Sequence, residues 1–237
     1  MTTRQVQHFP DAAALAAAAA AYLLTSARAA VRARGRFSLV LAGGRTPETL
    51  YRLLAAPPLA KQLPWPDIHI FQGDERCVPP DHPASNYRLA ATSLLRPGLI
   101  PATNIHRMRG EAPDPDQAAA DYQRQVEEFL AGEGFDLVLL GMGPDGHIAS
   151  LFPGSPWLTV RDRLVAAVTE PTGDPPLPRL TLTLAAINRA ATALIMVTGP
   201  EKARIVAEIM RDRQAAAGKY PAALVAPRNQ LCWLVDG

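Results

Sequence analysis

The sequence places a histidine and a carboxylate close together in a glycine-rich segment, GMGPDGH, which runs from Gly141 to His147. Because the apolar run FDLVLL precedes it, the segment is expected at the end of a buried strand. Histidine titrates near neutral pH, so His147 is suited to take a proton from water and return it to a leaving oxygen. The glycines leave the backbone free to present His147 and Asp145 together. The alternative, a core histidine with satisfied hydrogen bonds, is less consistent with a glycine-flanked strand end.

The same segment also matches the dinucleotide pattern G-x-G-x-x-G, and NAD binding is therefore an alternative. That function needs the third glycine to begin a helix whose free N–H groups face a pyrophosphate. Asp145 would put a negative charge where that anion must lie, and Pro153 and Pro156 would end such a helix soon after its start. Glu170 follows the next apolar stretch, as the nucleotide alternative would require. On balance the segment predicts no nucleotide cofactor.

A second segment, LAGGRTPETLY, has the residue types of a phosphate-binding loop. Gly43 and Gly44 allow a ligand to approach the backbone closely, and the N-terminus of the following helix would attract an anion. Thr46 offers a hydroxyl and is predicted to cap that helix, with Pro47 at its start. The G-K-[ST] ending of a Walker A loop is missing. The structural alternative is a tight corner between a strand and a helix.

Charged residues are concentrated at a third strand end, in the segment FQGDERCVPPDHPASNYRLA. Asp74 and Arg76 could hydrogen-bond a polyol and stabilise a developing negative charge. For Glu75, an ion pair that pins the loop is an equally good explanation. Cys77 has no histidine in a recognisable relation to it, so we expect it to line the site without reacting.

These three segments must be positioned by alternating strands and helices. The apolar runs FSLVLA, IHIFQ, FDLVLLG, TALIMVTG and QLCWLV alternate with helical patterns such as PETLYRLLA and EKARIVAEIMRDR. Continuous apolar strands of this kind predict a mostly parallel sheet with helices on both faces. We therefore expect an α/β fold with Rossmann-like order, formed as a single domain by residues 1–237. Ligands of such sheets bind beyond the carboxyl ends of the strands, where the three polar segments lie.

Local signals predict where some helices begin and where loops lie. Asp11 is expected to cap the first helix, and Ser85 a helix that begins near Asn86. Proline cannot donate to a central sheet ladder, which predicts loops at the segments APPLAKQLPWP, EAPDPD and EPTGDPPLP.

The composition limits the classes of partner. A chain of 237 residues that is 48% hydrophobic and 19% charged can bury one large core. The formal net charge is +2 and the basic residues are scattered, so we expect no nucleic-acid partner. Cys77 and Cys232 form no C-x-x-C pair, which suits a reducing cytoplasm and suggests no zinc site. The alanine-rich stretch after Asp11 predicts a helix rather than a signal peptide, and we expect no run long and apolar enough to span a membrane.

Together the polar segments resemble those of the bacterial-type 6-phosphogluconolactonases, within the glucosamine-6-phosphate isomerase/deaminase-like superfamily. The shared segments occur in the family's order over nearly the whole chain: LAGGRTP, GDERCVPPDHPASNYRLA, LVLLGMGPDGHIASLFPG, PRLTLTLAAINRA and VTGPEKA. The resemblance implies a cytoplasmic hydrolase that opens the lactone of 6-phosphogluconolactone to 6-phosphogluconate in the oxidative pentose phosphate pathway. It implies a sugar-phosphate substrate and neither metal nor nucleotide. We further expect a monomer or weak homo-oligomer without a membrane partner.

The resemblance also assigns roles to individual residues. Six are assigned to the substrate phosphate: Gly43, Gly44, Arg45, Thr46, Arg179 and Lys202. Four are assigned to catalysis: His147, Asp145, Asp74 and Arg76. Among them His147 would be the general base, and either Asp74 or Asp145 would orient the imidazole or the sugar hydroxyls. Arg45 departs from the family, which often has serine at that position.

Two related functions remain as alternatives from the sequence. An isomerase/deaminase acting on glucosamine 6-phosphate shares the architecture but opens the sugar ring and moves a proton between carbons. The arginine in GDER and the R-x-T segment favour the lactonase. A non-catalytic sugar-phosphate sensor would keep the phosphate loop without needing His147.

Overall fold

The computed structural model describes residues 2–95, 99–170 and 173–237, which contain ten strands and seven α-helices. The strands are β1 (Thr3–Phe9), β2 (Phe37–Leu41), β3 (Ile68–Gln72), β4 (Asp74–Arg76), β5 (Ile105–His106), β6 (Leu137–Gly141), β7 (Val165–Val168), β8 (Arg179–Leu182), β9 (Thr192–Thr198) and β10 (Gln230–Asp236). The helices are α1 (Ala12–Arg34), α2 (Arg45–Leu54), α3 (Asn86–Ser93), α4 (Pro115–Leu130), α5 (Leu184–Arg189), α6 (Pro200–Arg211) and α7 (Arg213–Ala217).

Seven of the strands form one sheet in the order β1-β10-β9-β6-β2-β3-β5, and every neighbouring pair is parallel. Alternate side chains of the central strands enter two separate hydrophobic clusters, because successive residues of a strand point to opposite faces. Residues of α1, α2 and α3 belong to one cluster, and residues of α4 to α7 belong to the other. The predicted α/β fold with helices on both faces of a mostly parallel sheet is confirmed.

A second, antiparallel sheet of three short strands, β4-β8-β7, was not predicted from the sequence. Its register pairs Asp74 with Thr181 and Arg76 with Arg179. The pairing brings a strand end from the first half of the chain next to the R-x-T segment of the second half. This small sheet is what places Arg179 beside the acid and arginine of β4.

The helix starts agree with the sequence at two places and differ at two. Asp11 accepts a hydrogen bond from the N–H of Ala14 at 2.8 Å, and Ser85 caps α3 as predicted. The prediction that Thr46 caps α2 is wrong, because the N-cap position belongs to a glycine and Thr46 lies in the first turn. The predicted loop EAPDPD is also too long, since α4 begins at Pro115, where the missing N–H is tolerated. In the loop predicted at EPTGDPPLP, residues 171 and 172 lie outside the described residues.

Helix α1 corrects a further expectation. By length and composition alone it is apolar enough to span a membrane, contrary to what the sequence led us to expect. In this fold its buried residues pack against the sheet and neighbouring helices: Leu15, Ala16, Ala19, Ala20, Leu23, Ala27 and Ala30. Packing in the core therefore accounts for the apolar side of this helix.

Candidate active site

A cleft of about 470 Å³ lies at the carboxyl ends of β2, β6 and β9, and β4 and β8 supply further lining residues. Nine of the ten residues predicted for the site line it: Gly43, Gly44, Arg45, Thr46, Asp74, Arg76, His147, Arg179 and Lys202. The tenth, Asp145, contacts His147. The structure thus gathers the three polar segments and the two cations of the second half of the chain into one place.

His147 is held at this cleft by a carboxylate. Its Nδ1 lies 2.5 Å from Oδ1 of Asp145, and its backbone N–H donates to the same oxygen at 3.1 Å. The ring of Phe152 packs on the imidazole with 4.6 Å between ring centroids. A proton on Nδ1, donated to the carboxylate, leaves the lone pair of Nε2 free to accept one. The side chain is 25% exposed, so water can reach the ring.

Asp145, rather than Asp74, is therefore the acid that contacts the imidazole. Burial alone would raise the pKa of Asp145, but the hydrogen bonds and the charge of His147 outweigh it and lower that pKa. The carboxylate is consequently ionised at neutral pH and can stabilise an imidazolium ion. Gly143 is required beside this pair, because a Cβ there would overlap the ring of His147 and approach Oδ1 of Asp145 at 2.9 Å.

The chain after Gly146 does not begin a helix. Ile148 and Leu151 form an isolated antiparallel bridge, and the next helical element is a single 3₁₀ turn, Pro156–Leu158. The dinucleotide pattern therefore lacks the helix N-terminus that would bind a pyrophosphate.

A second part of the cleft is formed by the N-termini of α2 and α6. Their N-caps are Gly44 and Gly199, and neither helix has a side-chain cap, whereas the five other described α-helices do. The hydroxyls of Thr46 and Thr198 lie 2.8 Å apart and connect the two N-termini. No sequence pattern selected Thr198, although it is the threonine of the Thr-Gly turn that precedes Lys202.

Two cations accompany these helix N-termini. Lys202 lies in the first turn of α6, and Arg45 is exposed at the first position of α2. Burial lowers the pKa of Lys202, and the charge of Arg45 lowers it further against the opposing carboxylate of Asp236. Lys202 and Arg45 thus place two neighbouring positive charges at two helix N-termini that have no side-chain cap. A phosphate dianion would neutralise both charges and accept hydrogen bonds from the free N–H groups.

The β4–β8 pair supplies a third group. The carboxylate of Asp74 accepts a hydrogen bond from Ser150 at 2.8 Å and lies 4.0 Å from Nη1 of Arg179. Arg179 is only 3% exposed; burial lowers its pKa, and among the neighbouring charges Asp74 raises it and Arg76 lowers it. Within the described residues, Nε of Arg76 and Nε of Arg179 have no hydrogen-bond partner. Buried N–H groups without a protein partner are typical of sites that hydrogen-bond a ligand or water.

Asn86, predicted only as the start of a helix, connects two of these segments. Its Oδ1 accepts a hydrogen bond from Nη1 of Arg76 at 2.5 Å. Its Nδ2 donates to the backbone oxygen of Asp74 at 2.9 Å and to Oδ1 of the same residue at 3.0 Å. A Cβ on Gly43 would overlap this amide, with Nδ2 at 2.7 Å. The glycine and the asparagine therefore depend on each other, a relation that the sequence does not reveal.

Two neighbouring residues are structural. Glu75 is 2% exposed and accepts hydrogen bonds from the backbone N–H groups of Asn86 and Tyr87, both at 2.7 Å, so it pins the start of α3. The prediction that Cys77 lines the site is wrong, because Cys77 is not among the described residues that line the cleft; its side chain packs against the core. Burial and the nearby Glu75 raise the pKa of its thiol to about 11, which leaves it protonated and unreactive at neutral pH. Within the described residues, no group of three or more His, Cys, Asp or Glu side chains could hold a metal ion.

Comparison with known proteins identifies a family and several relatives of this chain. The family model described as "Glucosamine-6-phosphate isomerases/6-phosphogluconolactonase" matches residues 10–233. A 6-phosphogluconolactonase of Synechocystis is 43% identical over 212 residues, which are 87% of this chain and 85% of that protein. A 6-phosphogluconolactonase of Nostoc is 40% identical over 238 residues, covering 98% of this chain and 95% of the relative.

Solved structures show the same fold. The crystal structure of a 6-phosphogluconolactonase from Thermotoga maritima superposes with a TM-score of 0.86 at 33% identity, covering 99% of this chain and 100% of the other. A monomeric glucosamine-6-phosphate deaminase gives a TM-score of 0.81 at 22% identity, covering 98% of this chain and 97% of the other, which is a likeness of fold alone. On the family match over residues 10–233 and the identities above, the chain belongs to the glucosamine-6-phosphate isomerase/6-phosphogluconolactonase family.

Proposed function

We propose that this protein hydrolyses 6-phosphogluconolactone to 6-phosphogluconate, the lactonase step of the oxidative pentose phosphate pathway. The observation that carries the proposal is the Asp145–His147 pair, which shares one cleft with two uncapped helix N-termini. One end of the cleft can activate water, and the other can hold a phosphate dianion of the same substrate. Relatives named 6-phosphogluconolactonase at 38–43% identity favour this function over the deaminase.

The phosphate would be held where α2 and α6 begin. Free backbone N–H groups of the Gly43–Gly44 turn and the hydroxyl of Thr46 can donate to its oxygens. Lys202 and Arg45 supply positive charge from the two helices, and Arg179 supplies it from the β8 side of the cleft. Fixing the phosphate places the lactone ring toward the imidazole, so the reacting groups meet in one orientation.

Attack begins at Nε2 of His147. This atom takes one proton from a water molecule while the water oxygen forms a bond to the carbonyl carbon of the lactone. The carboxylate of Asp145, bonded to Nδ1, stabilises the imidazolium that results. The carbonyl oxygen becomes an oxyanion, and we assign its stabilisation to Arg76 together with backbone N–H groups of the glycine loops.

Collapse of the tetrahedral intermediate completes the reaction. The carbonyl forms again, the bond between the carbonyl carbon and the ring oxygen breaks, and the imidazolium returns its proton to that oxygen. The net change is the addition of one water molecule across the internal ester, and His147 ends neutral. Asp74, bonded to Asn86 and Ser150, is assigned to the sugar hydroxyls because it does not contact the imidazole.

We also propose that residues 1–237 act as one domain, in the cytoplasm, as a monomer or weak homo-oligomer. The two cysteines are free, which is compatible with a reducing compartment. The enzyme would need neither metal nor nucleotide.

The experiment that tests this function is a direct assay on freshly prepared 6-phosphogluconolactone, measured against spontaneous hydrolysis. The protein should accelerate loss of the lactone well above the spontaneous rate and should release no ammonia from glucosamine 6-phosphate. Ammonia release without lactone hydrolysis would reverse the assignment. Gluconolactone, which lacks the phosphate, should react with a kcat/KM lower by about 100-fold or more, since remote binding energy is lost.

A further inference from the structure

The loop that carries His147 is supported from outside the cleft by the segment that follows α7. The carbonyl oxygen of Gly146 accepts a hydrogen bond from the N–H of Ala222 at 3.0 Å. Gly146 is buried with a φ of 75°, and a Cβ there would lie 2.6 Å from Cδ1 and 2.8 Å from Cβ of Tyr220. The side chain of Tyr220 therefore packs directly on the backbone of the residue that precedes His147.

Tyr220 is itself fixed at both ends. Its hydroxyl donates to Oε2 of Glu208 on α6 at 2.9 Å, and its backbone N–H donates to the carbonyl of Ala216 on α7 at 2.8 Å. The same helix α6 carries Lys202 in its first turn. The backbone bond to Ala216 and the packing of the ring on Gly146 and on the core do not need the hydroxyl, so they hold the ring in place even where the bond to Glu208 is absent.

The loop is a compact unit that needs such a support. Gly143 donates its N–H to the carbonyl of His147 at 2.9 Å, and Gly146 donates to the carbonyl of Gly143 at 3.0 Å. These bonds hold the turn together but do not by themselves fix its orientation toward the rest of the cleft. A displacement of about 1 Å at a reacting group can reduce a rate about 100-fold.

We infer that Tyr220 is a positioning residue for the general base: its ring, through Gly146, sets where the imidazole of His147 points. This inference rests on the proposed function. It assigns the effect to the packed ring and not to the hydroxyl, and it predicts a loss of kcat without a loss of phosphate binding.

Kinetics of two variants test the inference. Tyr220→Ala should lower kcat by about 10-fold or more and leave KM within about twofold, because the phosphate contacts are untouched. Tyr220→Phe keeps the ring and should retain kcat near that of the wild type. Tyr22→Ala is the matched control, since Tyr22 bonds Gln230 and Thr192 at the opposite end of the strands. It should leave kcat unchanged even if it lowers the thermal midpoint.

A double-mutant cycle separates the effect of the contact between Tyr220 and Gly146 from any loss of stability in a single variant. Gly146→Ala should lower kcat, since its methyl group meets both Cβ and the ring of Tyr220. The loss should be smaller in the Tyr220→Ala background, where the closest contact, with Cδ1, is removed and the contact with Cβ stays. Strictly additive losses would overturn the inference. So would an unchanged kcat in folded Tyr220→Ala, a rise in KM alone, or equal losses in the Ala and Phe variants.

An NMR measurement separates this inference from the proposed function. The imidazole resonances of His147 should shift or broaden in Tyr220→Ala and not in Tyr22→Ala, whether or not the lactone is a substrate. If the lactone assay fails while these resonances move, the function is wrong and the positioning role stands. Unmoved resonances would rule out the positioning role even in an active enzyme.

Discussion

Two regions of the molecule each hold a histidine against a phenylalanine ring, yet they have opposite chemistry. At the cleft, His147 packs on Phe152 and shares its Nδ1 with a carboxylate. At the β3–β5 edge of the sheet, His106 stacks on Phe71 with 4.3 Å between ring centroids, and its Nε2 lies 3.3 Å from Nδ1 of His69. Burial lowers the pKa of His69 and that of His106, the latter to about 4.

The difference lies in the partner of each ring nitrogen. A carboxylate on Nδ1 stabilises the imidazolium, and a free Nε2 can then accept a proton. In the β3–β5 pair the two ring nitrogens face each other, and within the described residues neither ring has a hydrogen bond to a carboxylate that would favour a charged form. The groups around a histidine therefore decide whether it can act as a base. The glycine-rich loop places the carboxylate of Asp145 against Nδ1 of His147.

Replacing each histidine by alanine tests this contrast most strongly. His147→Ala should lower kcat by about 100-fold or more, because general base catalysis contributes that much, while KM changes little. His106→Ala is the matched variant and should retain activity at temperatures where it stays folded. Steady-state hydrolysis of the lactone measures both, and undiminished turnover in His147→Ala would remove this residue as the base.

A methyl group at Gly143 should have the next largest effect. It would overlap the imidazole of His147, so the ring must move away from the position that it needs for attack. We expect kcat to fall by about 10- to 100-fold with little change in KM. Gly218→Ala is the control, because the nearest atom to its added Cβ is a carbonyl oxygen of Ala215 at 3.8 Å. Equal activity in the two variants would show that the imidazole is not confined by this glycine.

Asp145→Asn should have a smaller effect on the same pair. The amide can still occupy the place of the carboxylate, but it no longer stabilises the imidazolium by charge. The side chain of Asp145 is 45% exposed, so we expect a loss in kcat of about 10-fold, less than for a buried carboxylate–histidine pair. Asp121→Asn, at an exposed ion pair with Arg124, is the control and should keep full activity. If Asp145→Asn kept the kcat of the wild type, the contact between this carboxylate and the imidazole would have no role in catalysis.

The sequence predicted the part of the fold that depends on local pattern. Mostly apolar runs identified β2, β3, β6, β9 and β10, because strands covered on both faces need apolar residues at most positions. It did not predict the β4-β8-β7 sheet, whose strands have only three or four residues each. Short strands with charged ends, such as Asp74–Arg76, form through tertiary pairing that no local preference encodes.

Within the site, the sequence predicted residues better than contacts. Glycine-rich strand ends drew attention to His147 and to the Gly43–Thr46 turn, because glycines at the end of a strand let the backbone approach a ligand closely. Spacing could not decide which acid meets the imidazole, since Asp74 is remote in sequence and only the fold shows that it bonds Ser150 instead. The predicted capping of α2 by Thr46 is wrong for a similar reason, because the partner of its hydroxyl, Thr198, comes from a distant strand.

The β3–β5 pair gives the smallest expected effect, on stability rather than activity. The folded-state pKa of His106 is about 4, below the ordinary histidine value of about 6.5. Between these two values the unfolded chain binds a proton that the folded protein does not, so stability falls as pH decreases from 6.5 to 4. His106→Phe keeps a ring on Phe71 but removes this proton uptake, and its thermal midpoint should therefore fall less on acidification.

Because His106 is only partly buried, we expect a difference of about 1 kcal/mol, or about 2–4 °C, between pH 7 and pH 4.5. The exposed His8→Phe is the control and should follow the wild type. If acidification lowered the thermal midpoint of the wild type and of His106→Phe by the same amount, the surroundings of this stacked pair would not hold it neutral.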